Sequence, residues 1–264
     1  MGLTVGELIA EIEMIAPSNT AADWDNVGLQ VGELSASVSG AVLCLEVTEA
    51  VVAEAVQTGA NLIVAHHPLI FSPLSAIRTD QPLGALIQEM LRQEIALFVA
   101  HTNLDAAPRI GTAAVLADLL GVESEGALIA EGEVGYGCLG NVAGGLALAE
   151  LTERVRERLS PARITVVGAT DSTVRRLALM PGSGGDAVGA AAAAGADALV
   201  CGDLKHHDAI DALALGLTVI DATHYATEHP VLERLAGHLN EVLTEPVSIR
   251  VSAVVTDPFA DSPQ

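Results

Sequence analysis

The chain is short of basic residues. It has 12 Lys and Arg against 34 Asp and Glu, and Lys205 is its single lysine. The net charge of −22 repels phosphate backbones, which argues against a nucleic-acid partner. The excess of acid fits a high-salt cytoplasm, where salt screens the self-repulsion, or a lysine-poor, GC-rich genome. The size of the imbalance favours the halophilic interpretation.

Long hydrophobic runs and paired cysteines are also lacking. No apolar run reaches the roughly 20 residues that a membrane helix needs. The first 17 residues carry acids and lack the basic start of a secretory signal. Cys44, Cys138 and Cys201 are scattered, which is typical of buried thiols in a reducing compartment. We therefore expect a cytoplasmic protein that contacts no membrane.

What the sequence does contain is a regular alternation of apolar strands and amphipathic helices. Hydrophobic residues make up 50% of the chain. Segments 61–65 and 96–100 are short and mainly apolar, as buried strands are, whereas 82–94 has the periodicity of a helix with one apolar face. Strands that alternate with helices predict an α/β fold whose sheets are covered on both faces.

The Gly-rich, acidic stretch 121–135 interrupts this alternation, because it has no hydrophobic periodicity. It predicts two similar α/β lobes, 1–125 and 126–264, with the C-terminal strand packing back on the first lobe. A weak internal repeat supports two lobes, since apolar strands in both halves end in the same types of polar residue. The paired segments are 58–67 with 194–203, and 95–105 with 217–228.

Three clusters of histidines and acids directly follow apolar strands. Functional groups of open α/β sheets gather outside the carboxyl ends of strands, so these clusters could converge. Imidazole together with carboxylate is the ligand set of Zn, Mn, Fe or Ni. The clusters are His66 with His67, His101 with Asp105, and His224 with Glu228.

The adjacent pair His66-His67 favours two metal ions over one. Neighbouring side chains of an extended chain point to opposite sides, so two ions with a carboxylate between them can each take one imidazole. For any single histidine the alternative is an ordinary hydrogen-bonded or surface residue, and His207 beside Asp208 fits that description. The joint pattern of clusters favours a metal site.

Six motifs follow one another along nearly the whole chain, and together they resemble the NIF-three-like family, whose members are labelled GTP cyclohydrolase I type 2 homologues. The resemblance implies a two-lobed α/β subunit, a toroidal homohexamer and a dinuclear metal site in the cleft between the lobes. The motifs are WDNVGLQVG (24–32), AHHPLIF (65–71), HTNLDAAPRIG (101–111), GSGGDAV (182–188), GDLKHHDA (202–209) and DATHYATEHP (221–230).

The resemblance also implies the ligands of two divalent cations. In the family's pattern one cation takes His67, Asp105 and Glu228. The other cation takes His66, His224 and the same glutamate. The metal could be Zn, Mn, Fe or Ni.

Two further histidines, His101 and His207, are candidate proton carriers beside these ligands. One departure concerns Cys138, which stands where many relatives have an arginine that could bind an anionic substrate. The sequence thus predicts a dinuclear-metal hydrolase, of cyclohydrolase type, for a small molecule such as a nucleotide. The alternative is a metal-binding, metal-delivering or regulatory scaffold protein without turnover.

Overall fold

A computed structural model describes residues 2–132 and 134–260 and divides them into two compact units. The first unit contains the chain up to Leu104 together with Leu232–Thr256. The second contains Asp105–Val231 together with residues 257–260. These units group segments that pack together, and the lobe boundary at 125 and 126 remains a prediction.

Strands and helices alternate through both units, so the predicted α/β class is confirmed. Short 3-10 turns add Ser18–Thr20 and Gly185–Ala187. The strands are β1 (Gly28–Val31), β2 (Gly40–Cys44), β3 (Leu62–Ala65), β4 (Ala96–Val99), β5 (Val122–Gly126), β6 (Ile129–Glu131), β7 (Val134–Tyr136), β8 (Cys138–Ala147), β9 (Thr165–Val167), β10 (Thr173–Ser183), β11 (Ala198–Gly202), β12 (Thr218–Asp221) and β13 (Ser248–Val251). The helices are α1 (Val5–Ile15), α2 (Glu49–Thr58), α3 (Pro82–Arg92), α4 (Thr102–Asp105), α5 (Thr112–Leu120), α6 (Leu148–Leu159), α7 (Val188–Ala193), α8 (His206–Leu215), α9 (His224–Glu228) and α10 (Pro230–Val242).

The first unit is built on a five-stranded sheet of order β1-β4-β3-β2-β13. Strands β13, β2, β3 and β4 run parallel, and β1 pairs antiparallel with β4 at the edge. Strands β2, β3 and β4 are buried along their whole length, which explains their continuous apolar sequences. The carboxyl ends of four strands therefore meet at one edge of this sheet.

The second unit is built on a six-stranded sheet of order β5-β8-β10-β11-β12-β9. Its central strands β10, β11 and β12 are parallel, while the outer strands join them antiparallel. A separate hairpin pairs β6 with β7. As in the first unit, the carboxyl ends of neighbouring parallel strands lie together at one edge.

Local sequence signals begin and end the helices. Thr4 and Glu7 form a capping box at the start of α1, where each side chain bonds the other's backbone N–H. Helix α2 ends at Gly59, whose φ of 71° closes the last turn in the left-handed region. None of the helices within the described residues is long and apolar enough to span a membrane.

The stretch 121–135 contains strands although its sequence shows no hydrophobic periodicity. β5 pairs antiparallel with β8, and β6 and β7 form the hairpin. Hydrophobic periodicity is lacking in β5 because only its Val122 is buried, as expected for a strand at the edge of a sheet.

Candidate metal centre

The first unit brings histidines together at the carboxyl edge of its sheet. His66 and His67 directly follow β3, and His101 follows β4 after one residue. The backbone N–H of His66 donates to Cys44 O at 2.9 Å, and that of His67 donates to Leu45 O at 2.9 Å. The ladder thus continues beyond the strand, which fixes the backbone of both residues.

One ring nitrogen from each of the three histidines can be chosen so that all lie within 4.8 Å of one another. The ring centroids of His66 and His67 are 5.0 Å apart, and those of His67 and His101 are 5.6 Å apart. His66 is 1% exposed, and the other two are half-buried. Three imidazoles at this spacing could hold a metal ion.

Both adjacent histidines are held through Nδ1. His66 Nδ1 lies 3.0 Å from the carbonyl oxygen of Ala100 and donates to it, since a carbonyl can only accept. His67 Nδ1 lies 3.1 Å from Glu46 Oε1, and the other oxygen of Glu46 accepts from the Thr256 hydroxyl. A proton on Nδ1 puts the lone pair of the neutral ring on Nε2. This arrangement is the one that metal-binding histidines use.

His101 is held in the same way by Asp25. Its Nδ1 lies 2.9 Å from Asp25 Oδ1, and Asp25 Oδ2 accepts from the Thr102 backbone N–H at 3.1 Å and the Thr102 hydroxyl at 2.5 Å. Burial raises the pKa of Asp25, but the hydrogen bonds from His101 and Thr102 lower it further, and the pKa falls to about 2. The ionised carboxylate fixes the tautomer and orientation of His101.

Replacing Asp25 with asparagine is expected to lower the free energy of unfolding by about 2 kcal/mol, because charge-assisted hydrogen bonds are lost. The folded-state pKa lies below the ordinary one, so this contribution is complete above pH ~4 and disappears as the pH falls towards 2. Urea unfolding at pH 6 and pH 3 measures it. Asp23→Asn, an exposed position in the same loop, is the control, and an equal loss there would contradict this role.

The motif at 24–32 also positions the loop of the motif at 65–71. Asn26 Nδ2 and Gln30 Nε2 donate to the carbonyl of Ile70 at 2.5 and 3.0 Å. The Ile70 N–H donates back to Gln30 Oε1 at 2.8 Å. These bonds fasten the segment that follows the paired histidines.

The second unit presents an imidazole and a carboxylate on one helix. His224 and Glu228 lie four residues apart on α9, hence on one face, with Nε2 3.0 Å from Oε2. His224 Nδ1 lies 2.8 Å from Oδ2 of Asp203, which follows β11. Glu228 is 5% exposed. The side chains thus repeat the first unit's pattern of a histidine held by an acid, and they add a buried carboxylate.

The chain enters α9 through a strained residue. Thr223 has φ 69° and ψ 153°, a region that is nearly reserved for glycine and costs roughly 1–3 kcal/mol. Its N–H donates to Asp221 Oδ1 at 2.9 Å, and its carbonyl accepts from the Thr227 hydroxyl at 3.0 Å. These contacts impose the turn that directs His224 to the carboxyl edge of the sheet.

Glycines make room for this pair. A Cβ on Gly182, which has φ +69°, would lie 2.1 Å from Glu228 Oε1, and one on Gly202 would lie 2.5 Å from His224 N. Gly182 N also donates to the Thr227 hydroxyl at 3.0 Å. The glycines of two motifs are therefore required by close approach of the chain to the histidine and glutamate.

The remaining predicted residues lie at three separate places in the fold. Asp105 ends α4, and its Oδ1 accepts from the Thr112 hydroxyl at 2.7 Å. His207 is exposed in the first turn of α8, and its ring centroid is 5.4 Å from that of His206. Cys138 is buried in the core of the second unit, and this burial raises the pKa of its thiol.

Sequence reasoning missed the acids that hold the histidines. Glu46, Asp25 and Asp203 each contact an imidazole, yet none belongs to a predicted ligand cluster. Two of them carried a usable signal, because Glu46 and Asp203 follow the parallel strands β2 and β11 within two residues.

The structure is thus that of an α/β protein whose parallel strands are followed by histidines and a buried carboxylate. These side chains could hold a metal ion. The chain belongs to the Duf34/NIF3 (NGG1p interacting factor 3) family, whose model matches residues 3–258. The family indicated by the six motifs is thus confirmed.

Relatives and solved structures agree over the full length. A GTP cyclohydrolase 1 type 2 homolog of Clostridium perfringens is 33% identical over 261 residues, which cover 97% of this chain and 99% of that protein. One of Streptomyces coelicolor is 34% identical, with 97% and 93% covered. The crystal structure of a Bacillus cereus protein related to NIF3 has a TM-score of 0.91 at 27% identity, with 97% and 98% covered. A solved structure of the ybgI protein, described as of unknown function, has a TM-score of 0.86 at 26% identity, with 96% and 99% covered.

Proposed function

We propose that the chain is a hydrolase of cyclohydrolase type that acts on a small, nucleotide-like molecule with the help of two divalent cations. The observation that carries this proposal is a contact shared by four histidines: an oxygen acceptor lies within hydrogen-bonding distance of Nδ1 in each ring. The proton can therefore sit on Nδ1, which leaves the lone pair of Nε2 for a metal. The four histidines are His66, His67, His101 and His224.

The proposed ligands follow the family's pattern. One cation takes His67, Asp105 and Glu228, and the other takes His66, His224 and Glu228. The donor chemistry fits, because neutral imidazoles and carboxylates suit Zn, Mn, Fe or Ni. Glu46 and Asp203 hold two of these imidazoles, and such partners commonly change metal affinity by 10- to 100-fold.

Two bound cations would polarise an electrophile and lower the pKa of a water, which suits hydrolysis of a phosphoester, an amide or a ring C–N bond. The remaining work falls to the chain. Asp25 holds His101 so that its Nε2 can take up or release a proton beside His66 and His67. The exposed His207 is the second proposed proton carrier.

The relatives' names support the substrate class, because they are called GTP cyclohydrolase 1 type 2 homologs. A purine nucleotide or a related heterocycle is therefore the first substrate to test. The family resemblance also supports a toroidal homohexamer. We further propose a cytoplasmic setting, with which the three scattered cysteines agree, and the charge of −22 is consistent with a salt-rich one.

Turnover separates the proposed hydrolase from a metal-delivery or scaffold protein. Protein loaded with Zn, Mn or Fe is incubated with nucleoside triphosphates, cyclic nucleotides and purine heterocycles, and products are followed by mass spectrometry. We expect turnover that a chelator abolishes and that the same metal restores. Tight binding without turnover across these compounds would favour the metal-delivery or scaffold alternative.

Metal content should fall on acidification, since only neutral imidazoles bind metal. We expect about two equivalents of metal per chain near pH ~7.5. Near pH ~4.5, two units below the ordinary histidine pKa of ~6.5, we expect well under one equivalent. Elemental analysis after gel filtration at each pH measures this. Full retention at the acidic end would contradict histidine ligation.

A further inference from the structure

The chain is poor in aromatic residues, yet two of them are exposed next to the histidines of the first unit. It has one Trp, two Tyr and three Phe. Trp24 is 62% exposed and Phe71 is 53% exposed, with ring centroids 6.0 Å apart. The ring of Trp24 lies 6.2 Å from that of His101, edge to face. Large aromatic side chains are normally buried, so two exposed rings beside the histidines form an unusual surface.

Both rings stand on backbone that is held in place. Trp24 precedes Asp25, whose carboxylate accepts three hydrogen bonds from His101 and Thr102. Phe71 follows Ile70, whose N–H and carbonyl are bonded by the side chains of the 24–32 motif. The two loops are therefore tied to each other and to the histidine group. Because both loops are already fixed, little conformational entropy is lost when a planar ring binds to the two aromatic side chains.

From these contacts we infer that Trp24 and Phe71 form a stacking surface for the planar heteroaromatic ring of the substrate. The inference rests on the proposed function and deepens it, since it assigns the ring to residues beside His101. Stacking suits this place better than charge does, because its neighbours Asp23 and Asp25 are acidic and the chain carries −22. An aromatic face accepts any planar base irrespective of its hydrogen-bonding pattern.

The single tryptophan makes the test direct, since all tryptophan emission reports on position 24. The holoprotein is titrated with guanosine, adenosine and ribose 5-phosphate while Trp24 fluorescence is recorded. Saturable quenching by both nucleosides and none by ribose 5-phosphate is expected. Phe71→Leu should weaken nucleoside binding about tenfold, in line with the loss of one stacking partner. Phe259→Leu, the same change at a 41%-exposed ring of the second unit, should leave binding unchanged.

Four outcomes would overturn the inference. The first three are no saturable response to nucleosides, an equal response to ribose 5-phosphate, and equal weakening by the two leucine variants. The fourth outcome would show that the surface contacts a second copy of the chain. In that case Trp24 emission would depend on protein concentration, and Phe71→Leu would dissociate an oligomer. Metal content and turnover are measured on the same samples. Normal metal and turnover without stacking would overturn the inference alone, whereas stacking without metal would overturn the proposed function alone.

Discussion

Replacing Glu228 with glutamine is expected to cost the protein most of its bound metal. The glutamine keeps the shape of the buried side chain but removes the negative charge that is proposed to serve both cations. Substituting a residue that only hydrogen-bonds to a metal ligand typically lowers metal affinity by about 10- to 100-fold. Loss of a ligand itself should therefore lower the affinity by more than about 100-fold. Any turnover should fall with it. Metal content by elemental analysis and affinity by competition with a chelating dye measure the two effects.

The matched control is Glu233→Gln, the same chemical change at an exposed position of α10. It should retain full metal content, and its thermal midpoint should fall only by the small amount that loss of a charge in the first turn of a helix causes. If Glu228→Gln binds metal as tightly as this control, the buried carboxylate of α9 is not a ligand. Far-UV circular dichroism of both variants excludes unfolding as the cause of a loss.

Replacing Gly182 with alanine is expected to weaken metal binding while the fold survives. The new Cβ would lie 2.1 Å from Glu228 Oε1, and the end of a glutamate side chain can move aside. The positive φ of +69° adds a cost of roughly 1–2 kcal/mol to folding. Displacement of the carboxylate should weaken metal binding by at least about tenfold. The thermal midpoint and the metal content are measured on the same preparation.

Gly189→Ala provides the comparison, because a Cβ there meets nothing within 4 Å and the residue lies inside α7. That variant should be at least as stable as the parent, since alanine favours a helix interior over glycine. Full metal content in folded Gly182→Ala would show that the glycine serves the backbone turn alone and has no bearing on Glu228.

Much of the fold was predictable because its central strands are buried on both sides. β3 and β4 of the first unit, and β11 and β12 of the second, are buried along their whole length. All but β12, which begins with Thr218 and ends with Asp221, are also free of polar side chains. Such strands need no knowledge of their neighbours to be recognised. β5 escaped because an edge strand with one buried residue resembles a polar loop in sequence.

The histidines of the candidate site were predictable for the same reason, since each follows a recognisable strand. Their partners were harder to predict because they are remote in sequence. Asp25 lies 76 residues from His101, and Glu46 lies 21 residues from His67. The antiparallel pairing of β1 with β4 brings Asp25 near His101, and the parallel pairing of β2 with β3 brings Glu46 near His67. Both pairings are properties of the folded sheet.

We propose above that residues far apart in the sequence jointly hold two cations. An anomalous-difference map from crystals grown with Mn or Zn, collected on both sides of the metal's absorption edge, tests it most directly. We expect two peaks, with Nε2 of His66, His67 and His224 and carboxylate oxygens of Asp105 and Glu228 at ligand distances of roughly 2.0–2.2 Å. A map in which metal-loaded protein places no peak beside these side chains would contradict the claim.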